Sequence, residues 1–185
     1  FFTDVRNFTT MCEGLPPEQV VVRMNELFAM MGKVIERHGG TIFDFIGDAV
    51  LAVFGAPKEN PDHARAAAQS AIEILAGLDE LNSRWAKNHL APLRIGIGLH
   101  TGEVFAGIVG TRERKKFDVT GDTVNTGSRV EGLNKELGTA ILATRETVAR
   151  LNGHFTVRNC GAVSVKGREQ AVEVYEVLNS KAKLS

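Results

Sequence analysis

The sequence predicts an α+β fold whose first half is a split βαβ sheet of the ferredoxin-like kind, with a C-terminal αβ extension. Two observations predict it. Apolar residues recur every three or four positions in two long stretches, which is the period of an amphipathic helix. Short β-prone runs flank both stretches, so the elements through about residue 100 follow the order strand, helix, strand, strand, helix, strand. In this arrangement the helices cover one face of a mostly antiparallel sheet.

The individual elements follow from local signals. Proline is tolerated in the first turn of a helix, and glycine commonly ends one. In the first half we predict a strand at residues 1–4, a helix opened by Pro16-Pro17 and ended by Gly39-Gly40, a β hairpin at 41–46 and 50–54, and a helix at 60–89. In the second half we predict paired strands at 94–99 and 104–109, a helix from Asp122 to Gly138, a short helix at 145–151, and strands at 140–143, 155–162 and 171–177.

The composition is that of an ordinary globular protein and excludes several other classes. Of the 185 residues, 43% are hydrophobic and 24% are charged, so wholesale disorder is not expected. The 22 basic and 22 acidic side chains give a net charge of zero, whereas a dedicated nucleic-acid-binding protein is usually basic. No apolar run approaches the roughly 18–20 residues that cross a bilayer. The length suits one domain, which we predict to span residues 1–178 with a frayed tail at 179–185.

The cysteines indicate the compartment of this domain, and the start of the chain indicates that it is part of a longer protein. Cys12 and Cys160 form neither a disulfide framework nor a metal-ligand spacing, which indicates a reducing compartment. We therefore expect a cytoplasmic domain, from a parent protein that is either soluble or anchored to a membrane. Because the chain opens directly on an apolar strand, we also expect it to be cut from a longer polypeptide.

Two aspartates are predicted to meet at one end of the sheet. Asp4 ends the first strand and Asp48 lies at the tip of the hairpin, and these elements are neighbours in a split βαβ sheet. A pair of aspartates together with substrate phosphates is a usual site for Mg²⁺. The backbone amides of the following segment, which includes Phe8 and Thr9, are candidates to face a phosphate. A glycine-aspartate pair also suits an ordinary turn, so spacing alone leaves both interpretations open.

A second group of polar residues lies on the predicted helix after Asp122. Asn125 and Arg129 are four residues apart and share one helix face. A carboxamide and a guanidinium there could bind an oxygen-rich, charge-developing group, although such pairs also occur on solvated helix faces. Arg94 and Lys166 each lie at a strand end, and both also suit simple surface cations.

Taken together and in order, these motifs resemble the class III nucleotidyl cyclases, the adenylyl and guanylyl cyclase catalytic domains. The bacterial homodimeric adenylyl cyclases are the most similar. The resemblance extends to about Val177 and rests on five segments: residues 2–9 (FTDVRNFT), 45–49 (FIGDA), 94–102 (RIGIGLHTG), 117–125 (FDVTGDTVN, with Arg129 and Glu131 beyond it) and 165–167 (VKG).

The resemblance implies a role for each matching residue. Asp4 and Asp48 would hold two divalent ions, Mg²⁺ or Mn²⁺, with the Val5 carbonyl as a further ligand. Asn125 would orient the ribose and Arg129 would stabilise charge at the reacting phosphate. The triphosphate would be held by Arg94 and Lys166, with the amides of Phe8 and Thr9. The family forms dimers whose sites combine the metal aspartates of one chain with the asparagine, arginine and lysine of the other. A chain that holds both sets implies a homodimer, and an upstream regulatory domain is expected in the full-length protein.

The chain departs from the family pattern at two places. Asn7 stands where glycine is usual, and asparagine tolerates a left-handed backbone better than most residues, so the loop is expected to survive. The positions that select the base are Asp44 and Asp118, where adenylyl cyclases usually have lysine with aspartate or threonine, and guanylyl cyclases have glutamate and cysteine. Asp118 suits the 6-amino group of adenine, but Asp44 lacks the donor that adenine N1 requires.

The sequence therefore favours an adenylyl cyclase and leaves other functions open. A guanylyl or mixed-specificity cyclase is the nearest alternative. A catalytically inactive nucleotide-binding or dimerisation module is a second, although the chain retains every matched catalytic residue. A different metal-dependent nucleotidyl transferase would explain the two aspartates but not the asparagine–arginine helix.

Overall fold

A computed structural model describes residues 1–111, 115–164 and 171–180. The predicted phosphate ligand Lys166 lies outside these residues, as do residues 181–185 of the predicted tail. The elements, in chain order, are β1 (Phe2–Val5), α1 (Phe8–Gly14), α2 (Pro17–Arg37), β2 (Gly40–Ile46), β3 (Ala49–Phe54), α3 (His63–Ala86), β4 (Ile95–Leu99), β5 (Phe105–Gly110), β6 (Lys115–Thr120), α4 (Asp122–Leu137), β7 (Ile141–Thr144), α5 (Arg145–Val148), β8 (Phe155–Val163) and β9 (Val172–Ser180).

The predicted α+β architecture is confirmed. A seven-stranded sheet has the order β2-β3-β1-β4-β7-β9-β8. Among its described pairs only β4 and β7 run parallel. The predicted hairpin is β2–β3, and β1 lies between β3 and β4 as a split βαβ sheet requires. This topology brings the end of β1 beside the turn of the hairpin.

Helices lie on both faces of the sheet. Successive residues of β4 point to opposite faces and show which helices cover each face. Ile95, Ile97 and Leu99 are buried in the main core together with the apolar stripes of α2 and α3. Gly96 and Gly98 point to the opposite face, where a Cβ atom would meet Glu131 of α4. The helices of the split βαβ unit therefore cover one face as predicted, and α4 of the C-terminal extension covers the other.

The predicted pairing of residues 94–99 with 104–109 is wrong. β5 instead pairs with β6 in a separate two-stranded ribbon, with Phe105 opposite Thr120 and Gly110 opposite Lys115. The reason is that β4 lies inside the large sheet, where β1 and β7 occupy both of its edges. A strand with no free edge cannot accept another partner.

The chain differs from the prediction at both ends. The segment after β1, predicted as a loop, forms the short helix α1 from Phe8. β9 continues to Ser180, which pairs with Phe155, so it extends three residues past the predicted strand end at residue 177. Within the described residues, no helix combines the length and the apolar character needed to cross a bilayer.

Candidate active site

The carboxyl groups of Asp4 and Asp48 meet at one end of the sheet. The Val5 amide donates a hydrogen bond to Asp48 Oδ2 over 3.3 Å, which fixes the hairpin turn against the end of β1. Partial burial, together with a hydrogen bond to Asp48 and repulsion from it, raises the pKa of Asp4 to about 6. Adjacent carboxylates that repel one another favour a bound cation, which removes the repulsion.

This donor set fits a hard divalent cation, since Mg²⁺ prefers carboxylate oxygens and keeps part of its shell for water and phosphate. The described residues contain no cluster of three or more histidine, cysteine, aspartate or glutamate side chains that could hold a metal. Val5 follows Asp4 directly at the end of β1, and its carbonyl stays a predicted ligand.

The segment after β1 has the backbone that the family resemblance requires. Asn7 adopts a left-handed conformation with φ 57° and ψ 34°, so asparagine serves here in place of the usual glycine. α1 begins at Phe8, and the amides of Phe8 and Thr9 belong to its first turn, where N–H groups have no acceptor within the helix.

Arg94 lies at the same end of the sheet as the aspartate pair. Its side chain is exposed, and its carbonyl accepts a hydrogen bond from the Arg6 amide over 2.8 Å. Arg94 lines a groove of about 1130 Å³ together with Asp4, Val5 and Asn7. A predicted phosphate-binding cation and a predicted metal ligand thus share one groove.

A partly buried ion pair that the sequence analysis does not predict connects this edge to α4. Arg6 Nη2 lies 2.7 Å from Glu131 Oε1, and Arg6 Nη1 lies 3.8 Å from Asp4 Oδ2. Arg6 also donates to the Glu131 carbonyl over 3.3 Å. Burial raises the pKa of Glu131 to about 7, against the opposing effect of Arg6. Arg6 therefore ties the helix that carries Asn125 and Arg129 to the aspartate edge.

Asn125 and Arg129 lie on α4, away from the aspartate pair. Asn125 is exposed and Arg129 is half-buried. Among the described residues, no hydrogen bond or ion pair links either of them to Asp4 or Asp48. Arg129 Nη1 is buried and has no hydrogen-bond partner among residues 1–111, 115–164 and 171–180. A buried guanidinium nitrogen without an acceptor is costly, and an anionic or carbonyl group would satisfy it.

Asp44 and Asp118, the predicted base-binding residues, are brought together around a lysine. Lys116 Nζ lies 2.8 Å from Asp44 Oδ2 and 3.8 Å from Asp118 Oδ2. The second oxygen of Asp118, Oδ1, accepts a hydrogen bond from the Val119 amide over 2.9 Å, which orients this carboxylate.

Sequence reasoning therefore missed Arg6, Glu131 and Lys116. The partners Arg6 and Glu131 are 125 residues apart, and no local pattern connects them. Lys116 had a usable signal, because residues i and i+2 of a strand share a face and Lys116 precedes Asp118 by two. That signal depends on β6, which the sequence analysis did not predict as a strand.

The chain is similar to known proteins in both sequence and fold. A family model for the adenylate and guanylate cyclase catalytic domain matches residues 1–179. The chain is 40% identical to adenylate cyclase 1 of Rhizobium meliloti (strain 1021) over 177 residues. That match covers 96% of this chain but only 27% of the relative, so the chain spans about a quarter of that protein's length.

Two solved structures share the fold over nearly the whole chain. The adenylyl cyclase CyaB from P. aeruginosa superposes with a TM-score of 0.91 at 30% identity, covering 100% of this chain and 94% of that one. The guanylyl cyclase Cya2 superposes with a TM-score of 0.89 at 34% identity, covering 99% and 92% respectively. Structures of both nucleotide specificities therefore match this chain closely.

Proposed function

Because the chain belongs to the family of adenylate and guanylate cyclase catalytic domains, we propose that it converts ATP to 3′,5′-cyclic AMP and pyrophosphate at a site shared between two copies. The observation that carries this proposal is the contact between Asp4 and Asp48, with the raised pKa of Asp4. A catalytic domain of this family needs a place for divalent cations beside the triphosphate, and this pair supplies it.

The reaction is an in-line displacement within one nucleotide. The ribose 3′ oxygen forms a bond to the α-phosphorus, the bond from that phosphorus to the bridging oxygen breaks, and pyrophosphate leaves while the hydroxyl proton passes to solvent. Two divalent ions would supply acidification of the 3′-hydroxyl and neutralisation of phosphate charge. Asp4 and Asp48, with the Val5 carbonyl, would hold them, so neither aspartate serves as a general base.

The remaining roles follow from side-chain chemistry. Asn125 would orient the ribose, and Arg129 would stabilise charge on the α-phosphate as arginine fingers do in other phosphoryl transfers. Arg94, lining the same groove as Asp4, would bind the triphosphate. Lys166 and the first-turn amides of Phe8 and Thr9 would add phosphate contacts.

Three features support a homodimer with two shared sites. Asn125 faces outward and has no bond to the aspartate pair of its own chain. Arg129 Nη1 is buried without an acceptor. The β5–β6 ribbon exposes large apolar side chains, with Phe105 67% and Ile108 72% accessible. A partner chain would cover this apolar surface and bring a second α4 to each aspartate pair.

The wider setting of the domain is part of the same proposal. We place it in the cytoplasm, where its thiols Cys12 and Cys160, both free, would stay reduced. Because the chain covers only 27% of the length of the Rhizobium meliloti relative, a regulatory domain in the full-length protein is proposed as well.

A guanylyl or mixed-specificity cyclase is the second candidate. One observation favours it: Asp44 places a carboxylate where guanylyl cyclases of the resembled family carry glutamate. Asp118 favours ATP, because its carboxylate would accept from the 6-amino group of adenine but would repel the 6-oxo group of guanine.

The test measures cyclic product from purified protein, at a concentration where it is dimeric, with ATP or GTP and Mg²⁺ or Mn²⁺. We expect cyclic AMP to form faster than cyclic GTP. Replacing Asp48 with asparagine, which keeps the shape but removes the charge, is expected to lower turnover by about 100-fold or more.

The matched control is Asp62→Asn at the exposed start of α3, which should leave turnover unchanged. The absence of cyclic product from both nucleotides in a dimeric preparation would refute the cyclase proposal. Faster cyclisation of GTP would replace it with the second candidate.

A further inference from the structure

The position that should recognise adenine N1 has no donor of its own, because Asp44 stands where a lysine is usual. The structure places an amine there from a different strand. Lys116 of β6 extends toward β2 and lies 2.8 Å from Asp44 Oδ2. It lies on the same face of β6 as Asp118, two residues further along, and its Nζ is 3.8 Å from Asp118 Oδ2.

We propose that Lys116 is a specificity-determining residue that donates to N1 of adenine, while Asp118 accepts from the 6-amino group and Asp44 positions the lysine. This inference rests on the proposed cyclase function and names the side chain that gives that site its base preference. In this arrangement the carboxylate of Asp44 is the counter-ion of the Lys116 amine, which comes from another strand.

The order of donors and acceptors at this edge matches adenine better than guanine. The three side chains present an acceptor, a donor and an acceptor: Asp44, Lys116 and Asp118. Adenine offers a donor at its 6-amino group and an acceptor at N1, which complement Asp118 and Lys116. Guanine in the same orientation would set its 6-oxo group against Asp118 and its N1–H against Lys116. Each such mismatch leaves polar groups unpaired on both sides.

The geometry leaves the group accessible to a base. The side chains of Asp44, Lys116 and Asp118 are 43%, 45% and 35% exposed. A lysine ammonium has three donors, so the bond to Asp44 leaves others for a nucleotide. The hydrogen bond with Asp44 raises the pKa of Lys116, which keeps the amine protonated. The Val119 amide holds Asp118 Oδ1, so that Oδ2 faces the lysine side.

An exposed ion pair of this kind contributes little to the free energy of unfolding. A loss of base preference without a loss of stability would therefore indicate a role in recognition. Replacing Lys116 with methionine keeps the length and removes the donor, so thermal stability and dimer formation should stay as in the unmodified protein. Lys115 provides a matched control, because it is the adjacent exposed lysine and points to the other face of β6.

The experiment compares kcat/KM for ATP and for GTP in the unmodified protein, Lys116→Met and Lys115→Met. We expect Lys116→Met to lower kcat/KM for ATP by about 10–100-fold, and GTP by less than about 3-fold, in line with the loss of one hydrogen bond to a base. Lys115→Met should leave the ATP-to-GTP ratio unchanged. A ratio that is the same in Lys116→Met as in an active unmodified protein would overturn the inference, as would a preference for GTP in the unmodified protein.

A rescue variant tests whether the amine itself matters. In Asp44→Lys combined with Lys116→Met, the lysine returns to the usual position, and the ATP preference should recover to within about 3-fold of the starting ratio. Failure to recover in a folded dimer would count against a donor role.

Measurements of nucleotide binding test the role of Lys116 independently of the cyclase proposal. If the unmodified protein forms no cyclic product, the cyclase proposal fails. Calorimetry with the α,β-methylene analogues of ATP and GTP then decides the role of Lys116. Tighter binding of the ATP analogue that is lost in Lys116→Met supports it, and equal binding of both analogues refutes it.

Discussion

Gly98 shows how the absence of a side chain sets the distance between β4 and α4. A Cβ atom at Gly98 would lie 2.3 Å from the backbone nitrogen of Glu131, which is a helix atom that cannot rotate away. At Gly96 a Cβ atom would meet the Arg6 guanidinium and the Glu131 carboxylate. Glycine at these two positions lets the helix lie directly against the strand.

Gly98→Ala is therefore expected to lower the free energy of unfolding by about 1–3 kcal/mol, because α4 must move outward to admit the methyl group. The displacement would also move Asn125 and Arg129, so turnover should fall. Urea denaturation followed by circular dichroism measures the stability, and the cyclase assay measures the turnover.

Gly132→Ala is the matched control on the same helix. A Cβ atom at Gly132 would have no heavy atom within 4 Å, and alanine is the better helix former. Its unfolding free energy should rise by about 0.5–1 kcal/mol. Equal stability of Gly98→Ala and the unmodified protein would show that α4 is not packed against β4 as described.

Between elements, the Arg6–Glu131 pair connects β1 to α4. It is partly buried, and it spans from the edge that carries Asp4 to the helix that carries Arg129. The carboxyl of Glu131 is more protonated in the folded protein than in the unfolded chain, because burial raises its pKa from 4.5 to about 7. At this carboxyl, the folded state therefore binds more protons than the unfolded state between pH 4.5 and about 7.

The contribution of Glu131 to the free energy of unfolding should consequently fall as the pH rises from about 5 to about 8, by an amount on the order of 2 kcal/mol. Glu131→Gln keeps an oxygen acceptor for Arg6 but does not titrate, so its stability should fall less over the same interval. Urea denaturation in the presence of a chelator, at both pH values, measures the difference.

Asp4 contributes in the same direction, since its pKa is raised to about 6. The loss of stability between the two pH values should therefore be smaller in Glu131→Gln than in the unmodified protein, and smaller again when Asp4→Asn is added. A decline that is equal in the unmodified protein and in Glu131→Gln would show that Glu131 does not titrate in this interval.

The elements that sequence predicts well are those whose signal is local. The apolar stripe of α2 repeats every three or four residues, and the turn at Gly47 depends on the residues next to it. Both elements form as expected. The partner of β5 was missed because it depends on which edges of β4 remain free, which is a property of the whole sheet.

The same division applies to the candidate site. The meeting of Asp4 with Asp48 could be predicted, because it follows from the order of strands in a split βαβ sheet. The contact of Lys116 with Asp44 joins residues 72 positions apart, on strands of two different sheets. They come together only because the ribbon packs against β2. Neither the composition nor the spacing of residues along the chain predicts that packing.

At the scale of the whole molecule, the two groups of residues in the proposed site lie apart within one chain. The aspartate pair lies at one end of the sheet, whereas Asn125 is exposed on α4 and Arg129 Nη1 has no hydrogen-bond partner in the described part of the chain. Phe45 and Ile46 of β2 are further exposed apolar side chains, with 48% and 53% of their area accessible. A net charge of zero leaves no overall repulsion against the association of two copies.

If the sites are shared, two inactive chains should complement one another. In a mixture of Asp48→Ala and Asn125→Ala, each heterodimer has one site that lacks both residues and one that retains both. Random pairing makes about half of the dimers mixed, so activity should recover to about a quarter of that of the unmodified protein. Each variant alone should remain inactive. Differently tagged chains, purified through both tags, allow the heterodimer to be assayed directly, where recovery should reach about half. A verified heterodimer without activity would place both residues in a site formed by one chain.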